Sequence, residues 1–164
     1  MIILGLDPGT ATTGYGVIRM TNFKISCVAY GAIITKPDMD MPQRLSVIYD
    51  DLGQIIRQYH PDEVAVEKLY FGKNITTGIS VGQARGVLLL RLAQENLPIG
   101  EYTPMQVKQA LVGFGHAEKK QIQYMVQNFF KLPELPKPDD AADALAIAIC
   151  HAHSRSGLLS WRKQ

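Results

Sequence analysis

A chain of 164 residues and 18.2 kDa fits one domain spanning 1–164, with room for a real core over about 2–154 and a short tail over 155–164. Two cysteines, Cys27 and Cys150, lack metal or redox spacing, which excludes a disulfide scaffold and fits a reducing cytoplasm. No run approaches the roughly 20 apolar residues of a membrane span, and Asp7 comes too early for a signal peptide.

The first strand is predicted at about 2–7, in Ile2-Ile3-Leu4-Gly5-Leu6-Asp7. Pro8-Gly9-Thr10 is a turn, a second strand starts at Gly14-Tyr15-Gly16, and a third runs near 25–35. Two short connections in succession imply an antiparallel meander. Leu45, Ile48, Leu52, Ile55 and Ile56 recur at helical spacing, so a helix covers about 42–59 until Pro61 stops it. The apolar run Val64-Ala65-Val66-Glu67 suits a central strand over 63–67.

A basic, aromatic loop follows at 68–74, then a long helix at 77–94 and a short strand at 98–102. Thr103-Pro104 opens another helix, with proline at the first position as helices prefer, and Gly113-Phe114-Gly115 ends it. A helix over 118–131, a proline-rich loop over 132–138 and a last helix over 139–154 complete the chain, with Asp139 or Asp140 as the last helix's cap. The order β-β-β-α-β-α-β-α, with extra helices, is that of the ribonuclease H-like fold. It implies a mixed five-stranded sheet, three antiparallel strands then parallel crossovers, flanked by helices on both faces.

Four acids stand where buried elements begin or end: Asp7, Glu67, Asp140 and Asp143. An unpaired buried charge is expensive. Carboxylates from adjacent strand ends repel unless a cation or proton intervenes. Oxygen ligands gathered at one sheet edge are what a hard divalent cation takes. Asp143 lies inside an almost wholly apolar helix, so it needs a partner. Asp139 and Asp140 both fall on its helix face, and spacing cannot choose between them. Cys150, His151 and His153 on the same helix, and His116 before it, are expected to pack or titrate and not to bind metal.

The net charge is only +2, but 38–67 holds seven acids and two arginines, whereas 68–120 holds seven bases and three acids. A basic half beside an acidic cluster suits a polyanion held over a metal site. Gly78, Gly82 and Gly86 recur every four residues and permit close approach of the long helix, either to the sheet or to a sister subunit.

Taken together, these pieces resemble the RuvC family of Holliday junction resolvases. They are Gly5-Leu6-Asp7-Pro8-Gly9 with Thr13-Gly14-Tyr15-Gly16, Val66-Glu67-Lys68 with Tyr70-Phe71 and Lys73-Asn74, Gly82-Gln83-Ala84-Arg85-Gly86, Gln106-Val107-Lys108, Ala117-Glu118-Lys119, and Asp140-Ala141-Ala142-Asp143. The resemblance implies a homodimeric, Mg²⁺-dependent endonuclease that cuts four-way DNA junctions in recombination and repair, beside branch-migration motor proteins of the RuvA and RuvB type. It implies metal-binding, catalytic carboxylates at Asp7, Glu67, Asp140 and Asp143, and it selects Asp140 over Asp139. At position 70 the family commonly has phenylalanine; Tyr70 keeps the ring. Two Mg²⁺ ions per site, with Mn²⁺ able to substitute, suit hydrolysis to 5′-phosphate and 3′-hydroxyl ends.

DNA contacts are expected chiefly from Lys108 and Lys119, with Lys73, Arg85 and Lys120 in lesser roles, and from Tyr70 and Phe71 stacking on an unpaired base. The competing readings are a nuclease for another nucleic acid, a phosphate-loop ATPase, which 164 residues leave little room for, and a non-catalytic junction-binding module.

Overall fold

The computed structural model describes residues 1–69, 75–113, 115 and 117–157. Five strands and five helices alternate as β1 (Ile2–Asp7), β2 (Thr12–Thr21), β3 (Lys24–Ile34), α1 (Met41–Tyr59), β4 (Glu63–Glu67), α2 (Ile75–Gln94), β5 (Ile99–Tyr102), α3 (Pro104–Val112), α4 (Lys119–Phe130) and α5 (Asp139–Arg155). The sheet order is β3-β2-β1-β4-β5. β1 pairs antiparallel with β2, and β2 with β3, while β4 joins β1 and β5 in parallel. This is the ribonuclease H-like arrangement expected from the element order.

β2 runs longer than the sequence suggests, because Asn22 and Phe23 both take positive φ (50° and 62°) and close a tight hairpin onto β3. α1 is capped by Asp40, whose side chain accepts from the Gln43 N–H at 2.9 Å, and His60 ends it in the left-handed region. The α3 cap is Thr103, which accepts from the Gln106 N–H at 3.2 Å. At α5 the cap departs from expectation: Pro138 holds the position, and Asp139 and Asp140 both sit in the first turn. Proline can fill that place because the first helical N–H groups have no partner within the helix.

Strand alternation sorts the sheet into two apolar layers. Leu4, Leu6, Val17, Val64 and Val66 pack against Ile48 and Leu52 of α1 and Leu88 and Leu92 of α2. Ile3, Ile18, Ala65 and Tyr102 pack against α3, α4 and the buried length of α5. α5 is apolar nearly all round and is buried from Ala141 through Ala152 except at Asp143. Cys150 lies fully inside this layer. Among the described residues, no helix is long and apolar enough to cross a membrane.

α5 can lie this close to the sheet because glycine faces it. A Cβ on Gly5 would collide with the Ala144 carbonyl oxygen and the Ala148 backbone, and one on Gly14 with the backbone of Asp140. Backbone cannot yield as a flexible side chain does. Gly5→Ala is therefore expected to cost about 3 kcal/mol, the upper end for overpacking, and to lower the melting temperature by roughly 6–12 °C. A thermal unfolding curve that overlays the parent's would show that α5 can lift off without penalty.

Candidate active site

Parallel pairing of β1 and β4 places their carboxyl ends at one edge of the sheet, where Leu6 is level with Val66. Asp7 and Glu67 follow directly. Counting by two from Ile3 and from Ala65, both acids point to the α5 side of the sheet. Asp7 pairs in register with Gly14, and the backbone of Asp140 lies over that glycine. Asp143 follows one turn along. One sheet edge and one helix start thus bring Asp7, Glu67 and Asp143 to one cleft, with Asp140 near enough for its charge to act on Asp7.

Asp7, Glu67 and Asp143 line a cleft of about 230 Å³ whose opposite wall carries Lys108, Lys119, Val107 and Ile122. Burial pushes Asp7 from 3.8 up to about 8, with Glu67, Asp143 and Asp140 adding repulsion and Lys119 opposing it. Burial and Asp143 push Glu67 from 4.5 up to about 7, against Lys108 and Lys119. Burial raises Asp143 as well, opposed by the Lys119 ammonium.

Lys119 lies 3.1 Å from Asp143 and 3.9 Å from the exposed Asp139. Burial pulls the Lys119 pKa down, but Asp143, Asp139 and Asp140 outweigh it and hold the ammonium above its ordinary value. Asp140 contributes to the field at Asp7, whereas Asp139 does not figure there.

Among the described residues, no three His, Cys, Asp or Glu side chains converge closely enough to cage an ion unaided. The donor set nonetheless fits a divalent cation. It offers only oxygens, it is half-buried, and desolvation together with mutual repulsion favours protons on Asp7 and Glu67 that a cation would displace.

The other predicted residues divide. Lys108 faces the cleft. Lys120 is exposed on the first turn of α4. Tyr70, Phe71, Lys73 and His116 lie outside the described residues. Arg85, expected to hold phosphate in a lesser role, is also engaged within the fold. Its Nε donates to the Glu67 carbonyl at 3.0 Å and its Nη2 pairs with Glu101. It clamps α2 to the ends of β4 and β5, which positions Glu67. Gly82 packs on the Leu69 side chain, and Gly86 faces open space.

His151 is buried at the other end of β4. Its Nδ1 is 2.8 Å from the Tyr102 hydroxyl and its Nε2 is 2.7 Å from Glu63, which also pairs with Arg155 at 3.0 Å. His153 is held below its ordinary value by burial, a hydrogen bond with the Ala110 backbone opposing. Sequence reasoning passed over Arg44. The available signal was an arginine in the first turn of a helix within an acidic stretch, where the helix dipole disfavours a cation.

A ribonuclease H-like sheet with half-buried acids at the β1–β4 edge and lysines across the cleft defines the acid-centred nuclease class of this fold. Comparison with known proteins narrows the class. The family model "Crossover junction endodeoxyribonuclease RuvC" matches residues 3–151. The chain is 54% identical over 154 residues to the protein of that name from Syntrophomonas wolfei, covering 94% of this chain and 90% of the relative. It is 55% identical over 152 residues to the one from Desulforamulus reducens, covering 93% of each. Among solved structures, T. thermophilus RuvC in complex with Holliday junction substrate superposes with a TM-score of 0.87 at 35% identity, over 96% of each chain. The chain belongs to the RuvC family of crossover junction endodeoxyribonucleases.

Proposed function

We propose that this protein resolves four-way DNA junctions in recombination and repair, by paired hydrolytic nicks that leave 5′-phosphate and 3′-hydroxyl ends. The observation that carries this reading is the cleft itself. Half-buried carboxylates with raised pKa values form its floor, and Lys108 and Lys119 face them. Acids alone repel DNA, and lysines alone give no chemistry; a cleft holding both can seat a phosphodiester beside a cation site.

In this reading Asp7, Glu67, Asp140 and Asp143 hold two Mg²⁺ ions, with Mn²⁺ as substitute. When bound, these ions stabilise charge on the attacking and leaving oxygens and acidify water. Lys119 neutralises the acids in their absence and turns to the phosphate when DNA enters. Lys108 holds the phosphate from the α3 side. Lys120 and Lys73 supply outer phosphate contacts, and Tyr70 and Phe71 stack on bases unpaired at the junction centre. Arg85 serves by positioning Glu67. The enzyme works in the cytoplasm beside branch-migration motor proteins of the RuvA and RuvB type.

Resolution needs two opposed cuts, so a homodimer is part of the proposal. Its support is the outer face of α2. Ile79 and Leu90 are 56% and 54% exposed there, and Gly86 between them has nothing within 4 Å of a would-be Cβ. Closed two-fold dimers are the commonest oligomer. Leu90→Glu is expected to weaken the dimer about 30-fold or more, read by sedimentation at dilute protein, with nicks on the two strands becoming uncoupled. A variant that sediments as the parent does would remove α2 from the interface.

The test of the function is cleavage of an end-labelled four-way junction with and without Mg²⁺. Symmetric nicks that require the ion, made in the presence of excess linear duplex, are the expected result. Equal cutting of the duplex would make this a general nuclease, and binding without cutting under any divalent ion would make it a structural module.

A further inference from the structure

Asp140 lines a second cavity and not the first. This cavity, about 380 Å³, lies between the Gly9–Thr12 turn, α2 at Ser80 and the start of α1, where Arg44 enters it. Most polar groups around it are already committed. The Thr10 hydroxyl donates to the Ser80 carbonyl at 2.7 Å, the Thr35 hydroxyl to the Thr10 carbonyl at 2.7 Å, and the Thr13 hydroxyl to the Gly9 carbonyl at 2.6 Å. A Cβ on Gly9 would collide with the Thr12 carbonyl. The walls are therefore fixed by the chain's own bonds.

Arg44 lines the same cavity and is not committed in this way. Its Nε is buried without a hydrogen-bond partner. Among the described residues its guanidinium makes no ion pair, not even with Asp140 in the same cavity. The Asp40 carboxylate, one turn back, accepts from the Gln43 N–H and makes no ion pair with Arg44. A buried donor left unsatisfied costs the full desolvation of that group. Arg44 also sits in the first turn of α1, which contains no acid, where the helix dipole disfavours a positive charge. Both costs vanish if an anion occupies the cavity. A guanidinium presents a planar fork that matches phosphate oxygens.

We propose that Arg44 and this cavity form a second phosphate seat, which holds a non-scissile backbone phosphate of the strand being cut. The inference rests on the nuclease reading above. Asp140 stands between the two cavities, so a strand crossing the acid cluster is held by Lys108 and Lys119 on one side and Arg44 on the other. The seat fixes the direction of the strand over the acids, which cleavage geometry requires.

The test couples the arginine to one phosphate. Junctions carrying a single neutral methylphosphonate at successive positions around the cut are bound, in an Asp7→Asn background, with Arg44 retained or changed by Arg44→Gln. Arg44→Gln is expected to weaken junction binding about tenfold and to reduce the salt slope by about 0.9. At one position off the cut, the methylphosphonate should cost about tenfold with Arg44 present and nothing once it is gone. If Arg44→Gln melts early, Arg44→Lys keeps the charge and should retain the coupling at that same position, weakened.

Losses that add at every position, in both variants, or binding equal to the parent's would overturn the proposal. So would a melting shift with inorganic phosphate that depends on Arg44 while no position couples, since the seat would then belong to a free anion. Cleavage by the parent protein is read separately, so an inert parent refutes the nuclease reading, whereas an active parent without coupling refutes only this seat.

Discussion

Asp7→Asn should lose cleavage on the order of 10³-fold and yet melt at a higher temperature than the parent protein at pH 8. The loss follows from removing a donor for cations that supply several kcal/mol of charge stabilisation. The gain follows from the carboxylate's raised pKa, 3.8 to about 8. The folded state keeps a proton that the unfolded chain releases, so folding is unpenalised below about 3.8. The penalty grows as pH rises from there and is complete above about 8. Asparagine carries no charge and escapes it.

The two proteins should therefore differ little near pH 4 and most above pH 8. Even a tenfold effect on the protonation equilibrium, about 1.4 kcal/mol, raises the melting temperature by roughly 3–5 °C. Glu67 adds a similar dependence between 4.5 and about 7. Mg²⁺ should narrow the gap, because it binds the folded parent and releases protons from it. Melting curves recorded from pH 4 to 9 with and without Mg²⁺ decide the matter. A gap that does not grow with pH would mean that neither burial nor its acidic neighbours hold a proton on Asp7.

Lys119→Met should lower cleavage about 100-fold and move the acidic limb of the pH–rate profile to higher pH. Methionine retains much of the stem and removes the ammonium that sits 3.1 Å from Asp143. That ammonium depresses the pKa of Asp7, Glu67 and Asp143. Without it each acid holds its proton longer, so the cluster reaches its ionised form only at higher pH. Loss of a preorganised positive group facing the phosphate accounts for the rate. Single-turnover cleavage across pH separates the two effects. A uniform drop with an unshifted limb would make Lys119 a phosphate contact alone.

Much of this site was readable before the fold was known, because it rests on short-range rules. An apolar run that ends on an acid reads as a strand end, and β1 and β4 lie where those runs placed them. Side-chain alternation then puts Asp7 and Glu67 on one face without further information. The helical pattern of 139–154 announced a buried helix carrying Asp143. What escaped depends on contacts that no local pattern encodes. Arg85 reads as a basic residue near an acid, but Glu67 and Glu101, which fix its guanidinium, are 18 and 16 residues away. Glu63 and His151 are separated by 88 residues, so His151 gave no hint of its buried partner. Spacing left Asp139 and Asp140 equal. In the fold the Asp140 backbone lies over Gly14 and its charge acts on Asp7, while Asp139 is exposed beside Lys119.

α5 follows the other described elements in chain order, and it supplies both Asp140 and Asp143 and much of the filling of one sheet face. A nascent chain that has reached only the end of α4 holds Asp7 and Glu67 on a sheet with one side bare. Such a chain lacks Asp140, Asp143 and the apolar filling of that face. Translation must therefore run nearly to the end of α5 before any phosphodiester is at risk.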